Sequence, residues 1–151
     1  MAELATAAYE KFEVSDFEAR RSGLSYTSDT LALLRKEYPD SAFSLILGAD
    51  SFFEFENWHA PEDICRNARL LVAAREYARE HSSLSEHARH LEERFGARVA
   101  LIPAPLVDIS SMHIRELLAA GKKSAAQYLP AAVYRYIQAE GLYVPEKEGK
   151  L

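Results

Sequence analysis

The run Asp108-Ile109-Ser110-Ser111-Met112-His113-Ile114-Arg115 holds the densest group of residues able to do chemistry. Two adjacent hydroxyls fall where a helix should begin, beside backbone N–H groups that have no intrahelical acceptor and attract anions. An arginine in that first turn opposes the helix dipole unless negative charge lies nearby. A phosphate at the helix entrance would remove the conflict. An ordinary serine cap beside a solvated arginine accounts for the same residues, because such charge effects are worth only about 0.3–1 kcal/mol at a surface.

A second group is Gly48-Ala49-Asp50-Ser51, which directly follows the apolar run FSLIL. Glycine permits close backbone approach or a positive φ, and an aspartate at the carboxyl end of a strand can accept from ribose hydroxyls. Asp50 could equally cap a helix beginning at Ser51. Trp58 is the sole tryptophan and sits in a polar stretch, so its ring could stack on a flat heterocycle or anchor a loop on the core. Arg75, at the end of ARLLVAAR, suits either a phosphate or a surface ion pair. His87 and His90 are three apart on a helical pattern, but no third ligand is evident, and no metal site is expected.

These residues need a scaffold. The strand candidates are Phe43 to Leu47, Ala68 to Ala74 and Arg98 to Ile102, the first two nearly continuous apolar runs that suit strands covered on both faces. Lys11 to Val14 alternates and reads as a weaker outer strand. Helices are expected over Ala2 to Tyr9, over Thr27 to Tyr38, from Pro61, from a capping box at Ser83 and Glu86, from a cap at Ser111 to Gly121, and from Pro130 to Gly141. Arg75 to Ser85 reads as a loop and Glu146 to Leu151 as a frayed tail. Strands alternating with helices imply an α/β domain with a mainly parallel sheet, ligands lying beyond the strands' carboxyl ends.

The 151 residues fit one compact domain, and 48% hydrophobic with 27% charged residues is ordinary for a packed globular chain. A net charge of -5 argues against binding a nucleic-acid polymer. No apolar run approaches the ~20 residues that span a bilayer, so no membrane partner is expected. The single cysteine, Cys65, cannot form an internal disulfide, lacks an activating partner, and fits a reducing cytoplasm.

Taken in order, FEVSDFEARRSGLSYTSDTL, GADS, NWHAPEDI, ARLLVAAR, VDISSMHIR and YLPAAVYRYIQAEGLY resemble the bacterial nicotinate-nucleotide adenylyltransferase family, over about Phe12 to Val144. The resemblance implies a Rossmann-like nucleotidyltransferase fold. It implies transfer of the adenylyl group of ATP to nicotinate mononucleotide, giving nicotinate adenine dinucleotide and pyrophosphate in NAD biosynthesis, with Mg2+ accompanying ATP. By that resemblance Trp58 would stack on the pyridine ring, backbone amides near Thr27 and His59 would bind its carboxylate, and Arg75 would approach a phosphate. Gly48 and Asp50 would hold nucleotide sugar, while Ser110, Ser111 and Arg115 would grip the ATP triphosphate. Met112 stands where the family usually has threonine, which removes one hydroxyl contact.

The family's first strand and its H-x-G-H turn, whose histidines contact the ATP phosphates, have no counterpart in these 151 residues. The expectation is an N-terminally truncated chain with no catalytic histidine, an open groove where the first strand would pair, and little or no turnover on its own. Two other functions stay open: adenylyl transfer to nicotinamide mononucleotide, and a non-catalytic nucleotide-binding module. Assembly into a homo-oligomer is compatible with all three.

Overall fold

Three parallel strands, β1 (Phe43–Gly48), β2 (Ala68–Ala74) and β3 (Val99–Pro103), form a sheet in the order β1-β2-β3. The computed structural model describes residues 1–74, 78–105 and 109–144, with backbone alone for 78–82. Parallel neighbours require long crossovers, and helices supply them. Between β1 and β2 run α3 (Ala49–Phe53), a 3-10 turn (Phe55–Asn57) and α4 (Pro61–Asn67), and α5 (Ala78–Phe95) lies between β2 and β3. The register sets Phe43 beside Ala68 and Leu70 beside Val99. α2 (Thr27–Glu37) precedes the sheet, with Asp29 in its first turn and Arg35 and Lys36 in its last, the arrangement its dipole favours.

The chain divides into two compact units, one of residues 17–106 and the other of residues 1–16 with 107–151. The first holds the sheet. Its core joins Leu70, Val72 and Ala74 of β2 to Phe52, Phe55, Ile64, Leu84 and Leu91, all fully buried. Burying each large side chain contributes roughly 1.5–3 kcal/mol. The spacing of Leu84, Ala88, Leu91 and Phe95 puts one stripe of α5 against that core, as the sequence pattern requires. The second unit contains α1 (Ala2–Thr6), α6 (Ser111–Ala119), a 3-10 segment (Lys123–Tyr128) and α7 (Ala131–Ala139). Its own core is Leu118, Ala125, Val133 and Ile137. Gly121 and Gly141 end α6 and α7 with φ of 65° and 62°, conformations open to glycine without strain.

Four local expectations are corrected. Lys11 to Val14 is not a strand: no strand pairs with it among the described residues, and Phe12 is 65% exposed. A short alternating run with nothing to pair against has no ladder to stabilise it. The loop expected over Arg75 to Ser85 is helical from Ala78, because nothing between 78 and 95 is a glycine or proline that would stop the helix. Ser83 therefore lies inside α5 rather than capping it. α1 ends at Thr6, short of Tyr9.

Among the described residues β1 is covered on one face only. Leu47 is buried while Ile46 is 68% exposed, and among the described residues β1 pairs with β2 alone. An apolar run therefore does not by itself report two covered faces. The tail 146–151 lies outside the described residues.

Candidate functional site

The amino end of α2 and the loop ahead of α4 meet in space although more than thirty residues separate them. The Tyr26 and His59 rings stand edge to face with centroids 4.1 Å apart. Tyr26 is the N-cap of α2 and makes no side-chain capping bond, so the N–H groups of Thr27 and Ser28 lie at a helix entrance suited to an anion. The segment before α2 is pinned to it: Arg21 donates to Thr30 Oγ1 at 3.2 Å, and Thr30 donates to Glu18 at 2.6 Å. Arg21 also lies 3.9 Å from Asp29.

Trp58 is partly buried. Its ring lies 5.6 Å from that of Phe55 and packs on the main core, so it anchors the loop while part of its surface stays open. Ala60 takes φ 48° and ψ 62°. For a residue with a Cβ this left-handed geometry costs about 1–2 kcal/mol, and the proline that follows disfavours helical geometry too. Pro61 is buried at the start of α4, so packing on both sides of Ala60 holds the strained turn that presents His59.

At the carboxyl end of β1, Gly48 has φ -76° and ψ 162°, an extended conformation open to any residue. A Cβ built there meets nothing within 4 Å. Positive φ is therefore not the reason for glycine, which leaves the open space beside the backbone. Asp50 does not cap a helix beginning at Ser51; α3 begins at Ala49, and Asp50 is exposed in its first turn.

The helix entrance of the second unit differs from expectation by one residue. Ser110, not Ser111, caps α6, its Oγ accepting from His113 N–H at 3.1 Å. Ser111 is thereby free to accept from Arg115, whose Nη2 donates to its Oγ at 2.9 Å. Ser111 and Arg115 line a cavity of about 230 Å³ whose other walls include Ile114, Leu118, Val133 and Ile137. No carboxylate pairs with Arg115 among the described residues. The guanidinium thus sits toward the positive end of a helix beside the Ser111 hydroxyl, with no carboxylate paired to it among the described residues. Met112 is exposed.

Thr27, Gly48, Asp50, Trp58 and His59 all belong to the unit of residues 17–106, and Ser110, Ser111 and Arg115 to the other. Arg75 lies outside the described residues. His87 and His90 have structural partners: His87 Nε2 is 3.1 Å from the Phe52 carbonyl, and His90 Nε2 is 2.8 Å from Glu56, which also pairs with Arg94. Burial, reinforced by the negative charge of Glu62, pushes the Cys65 thiol up to about 11, so it is not a poised nucleophile.

Two features escape a reading of the sequence. Ser28 is 4% exposed, and its hydroxyl has no hydrogen-bond partner among the described residues. A buried donor left unpaired costs about 1–3 kcal/mol. Its sequence signal was the hydroxyl-rich SYTSDT, which says nothing about which hydroxyl turns inward. The Tyr26–His59 contact has no local signal at all.

No protein-family model matches the chain. A Lachnoclostridium phytofermentans protein named "probable nicotinate-nucleotide adenylyltransferase" is 37% identical over 144 residues, which cover 95% of this chain and 71% of that protein. A Geobacter sulfurreducens protein of the same name is 36% identical, covering 95% of this chain and 72% of its own. A third, from Syntrophotalea carbinolica, is 37% identical over 87% of this chain and 66% of its own length. Among solved structures, Plasmodium falciparum nicotinic acid mononucleotide adenylyltransferase complexed with APC matches with a TM-score of 0.61 at 22% identity. The match covers 81% of this chain and 60% of that one. The same protein complexed with NaAD gives 0.60 at 21% identity, covering 81% and 58%. These structural matches show the fold, a Rossmann-like parallel sheet flanked by helices. The chain spans about 60% of the length of these solved structures.

Proposed function

Because the chain belongs to the nicotinate-nucleotide adenylyltransferase family, we propose that it serves adenylyl transfer from ATP to nicotinate mononucleotide, forming nicotinate adenine dinucleotide and pyrophosphate. In that reaction a phosphate oxygen of the mononucleotide attacks the α-phosphorus of ATP, and the bond to the departing pyrophosphate breaks. Little covalent chemistry falls to the protein; positioning two anions and neutralising charge in the transition state does most of the catalysis.

The observation that carries the reading is the meeting of Tyr26 with His59. The contact joins the amino end of α2, whose cap makes no side-chain bond, to the loop that carries Trp58 and His59, and a helix entrance and a partly exposed indole would suit a flat ring bearing a carboxylate. A carboxylate is favoured at a helix N-terminus, whereas the neutral amide of nicotinamide mononucleotide gains less there. Gly48, with open space beside its backbone, and Asp50, an exposed acceptor, would hold nucleotide sugar. Ser111 and Arg115 would meet the triphosphate, the cap hydroxyl of Ser110 keeping the helix entrance in place.

Magnesium belongs to this reading as the companion of ATP. No group of three His, Cys, Asp or Glu side chains among the described residues could hold a metal, so these residues do not fit a protein-built cage. No described helix is long and apolar enough to cross a membrane. A single buried thiol suits a reducing cytoplasmic setting.

The alternative reading is a non-catalytic nucleotide-binding module. Calorimetry with nicotinate mononucleotide and with a non-hydrolysable ATP analogue, run beside a pyrophosphate-release assay, separates the two. Turnover by a form carrying an H-x-G-H segment ahead of Met1, faster with nicotinate than with nicotinamide mononucleotide, supports the enzyme. Binding of both ligands without turnover in that form supports the module. Equal or reversed acceptor preference overturns the choice of nicotinate.

A further inference from the structure

The opposite end of the same sheet holds a cavity of about 300 Å³ lined by Arg35, Ser44, Asn67, Arg69 and Arg98 with Ala42 and Phe43. Gly48 lies four residues along β1 from Ser44, roughly 13 Å at the usual strand rise, so this cavity is separate from the surface around Gly48 and Asp50.

The arginines are brought together by the fold and not by sequence. Ser44 of β1 stands in register with Arg69 of β2. The next pairing along, Leu70 with Val99, sets Arg98 at the neighbouring position, and Leu70 N–H donates to the Arg98 carbonyl at 2.8 Å. Ser44, Arg69 and Arg98 thus form a row across three adjacent chain segments, all exposed, while Ala68 and Leu70 turn into the core. Arg35 arrives from the last turn of α2 and is steadied there, its guanidinium donating to the Ser41 carbonyl.

Three guanidinium groups on one small cavity repel one another, and like charges at paired positions on neighbouring strands are destabilising. The usual remedy, an interleaved carboxylate, is missing. None of the lining residues is acidic, and among the described residues none of the three arginines takes part in an ion pair. This is notable in a chain with a net charge of -5, where acidic side chains outnumber basic ones. Nearby, Asn67 donates its side-chain amide to the Asp63 carbonyl at 2.9 Å, which fixes the wall between α4 and β2. The cavity therefore offers planar fork donors and a hydroxyl with no carboxylate paired to the arginines among the described residues, the donor set that recognises a phosphate-class oxyanion.

We propose that the Arg35, Arg69 and Arg98 cavity at the amino ends of the strands is a second anion site, taking a compact phosphate or pyrophosphate group. The proposal rests on the arginine geometry and is independent of the adenylyl-transfer reading. The three guanidiniums surround the anion, Ser44 donates its hydroxyl, and occupancy relieves the repulsion between Arg69 and Arg98. Since Arg69 lies in β2 and Arg98 just ahead of β3, an anion that binds the folded sheet stabilises it against unfolding, by an amount that grows with the logarithm of anion concentration above its Kd.

The test is calorimetric titration of the protein with inorganic pyrophosphate at matched ionic strength, together with its melting temperature with and without that anion. The variants are Arg69→Gln/Arg98→Gln and, as a control for the helix entrance in the other unit, Arg115→Ala. The expected result is that Arg69→Gln/Arg98→Gln weakens pyrophosphate by about tenfold or more, the scale of losing charge-assisted hydrogen bonds. The same variant should melt no lower than the parent without ligand, since two exposed like charges have been removed, while Arg115→Ala retains pyrophosphate binding at this cavity. Adenosine monophosphate titrated in parallel identifies the source: binding lost with the two arginines assigns a nucleotide-borne phosphate, and pyrophosphate binding alone assigns a free oxyanion. The proposal is overturned if pyrophosphate binds parent and Arg69→Gln/Arg98→Gln equally, if it does not bind at all, or if the ligand-free variant melts lower.

Discussion

The loop from Trp58 to Ala60 and the entrance of α6 are both candidate ligand surfaces, yet they are built in opposite ways. The loop is held from beneath: Trp58 packs on the fully buried Phe55, Pro61 is buried, and the strained Ala60 keeps its left-handed geometry because its neighbours are fixed. The entrance of α6 is held from within by its own cap, Ser110 Oγ accepting from His113 N–H, and its arginine donates to the Ser111 hydroxyl with no carboxylate paired to it among the described residues. A surface that must grip a flat ring gains from rigidity set by the core. A surface for a polyphosphate can stay exposed and keep its charge uncompensated until the ligand arrives, because electrostatic attraction needs less shape.

That contrast predicts where stability and binding separate. The largest effect is expected for Phe55→Ala, which empties a fully buried site and should cost about 3–5 kcal/mol of stability. In conditions where the variant stays folded, nicotinate mononucleotide should weaken with it. A denaturant melt combined with calorimetry measures both, and unchanged mononucleotide affinity would detach Trp58 from its support. Arg115→Ala should do the reverse, weakening an ATP analogue by about 1.5–3 kcal/mol while leaving ligand-free stability unchanged or slightly improved. Arg115→Lys should recover only part of the affinity, since lysine lacks the planar fork. If Arg115→Ala binds normally but melts markedly lower, the arginine is a structural residue.

Smaller effects follow. Ser110→Ala removes the cap of α6 and should cost about 1 kcal/mol, whereas Ser111→Ala should cost less in stability; equal losses in thermal melts would return the cap to Ser111. For Cys65 the folded thiol titrates near 11, above its ordinary value of 9.0, so the fold favours the protonated form. Its contribution to stability is complete below pH 9 and is lost as pH rises through about 11. Urea melts between pH 8 and 11 should show a decline that flattens in Cys65→Ala, and an identical slope in both proteins would assign the decline to other groups.

The contrast also explains what the sequence could reveal. β1 and β2 were legible because FSLIL and ARLLVAA are apolar runs of strand length, and the sheet they join follows from helices lying between them. The open face at Ile46 was not legible, since an apolar residue reads the same whether or not something covers it. Ends were read to within two residues where a proline or glycine marks them, as at Pro61 and Gly121, and were misplaced where polar residues run on without a breaker, as before Ser83. The residues Thr27, Trp58 and His59 could be proposed from the family resemblance, but their proximity is tertiary. The arginine cavity was invisible for the same reason: Arg35 lies in the last turn of α2, Arg69 second in β2 and Arg98 just ahead of β3, and each reads singly as solvated charge.

The central claim is that the Trp58 loop and the α6 entrance hold different reactants. Calorimetric titration of Trp58→Ala and Arg115→Ala, each with nicotinate mononucleotide and with a non-hydrolysable ATP analogue, tests it most directly. Trp58→Ala should weaken the mononucleotide by about 1–3 kcal/mol, the scale of one stacking partner, with little change for the ATP analogue. Arg115→Ala should show the opposite pattern. Loss of both ligands to the same extent in either folded variant, or of neither, would contradict the division of labour.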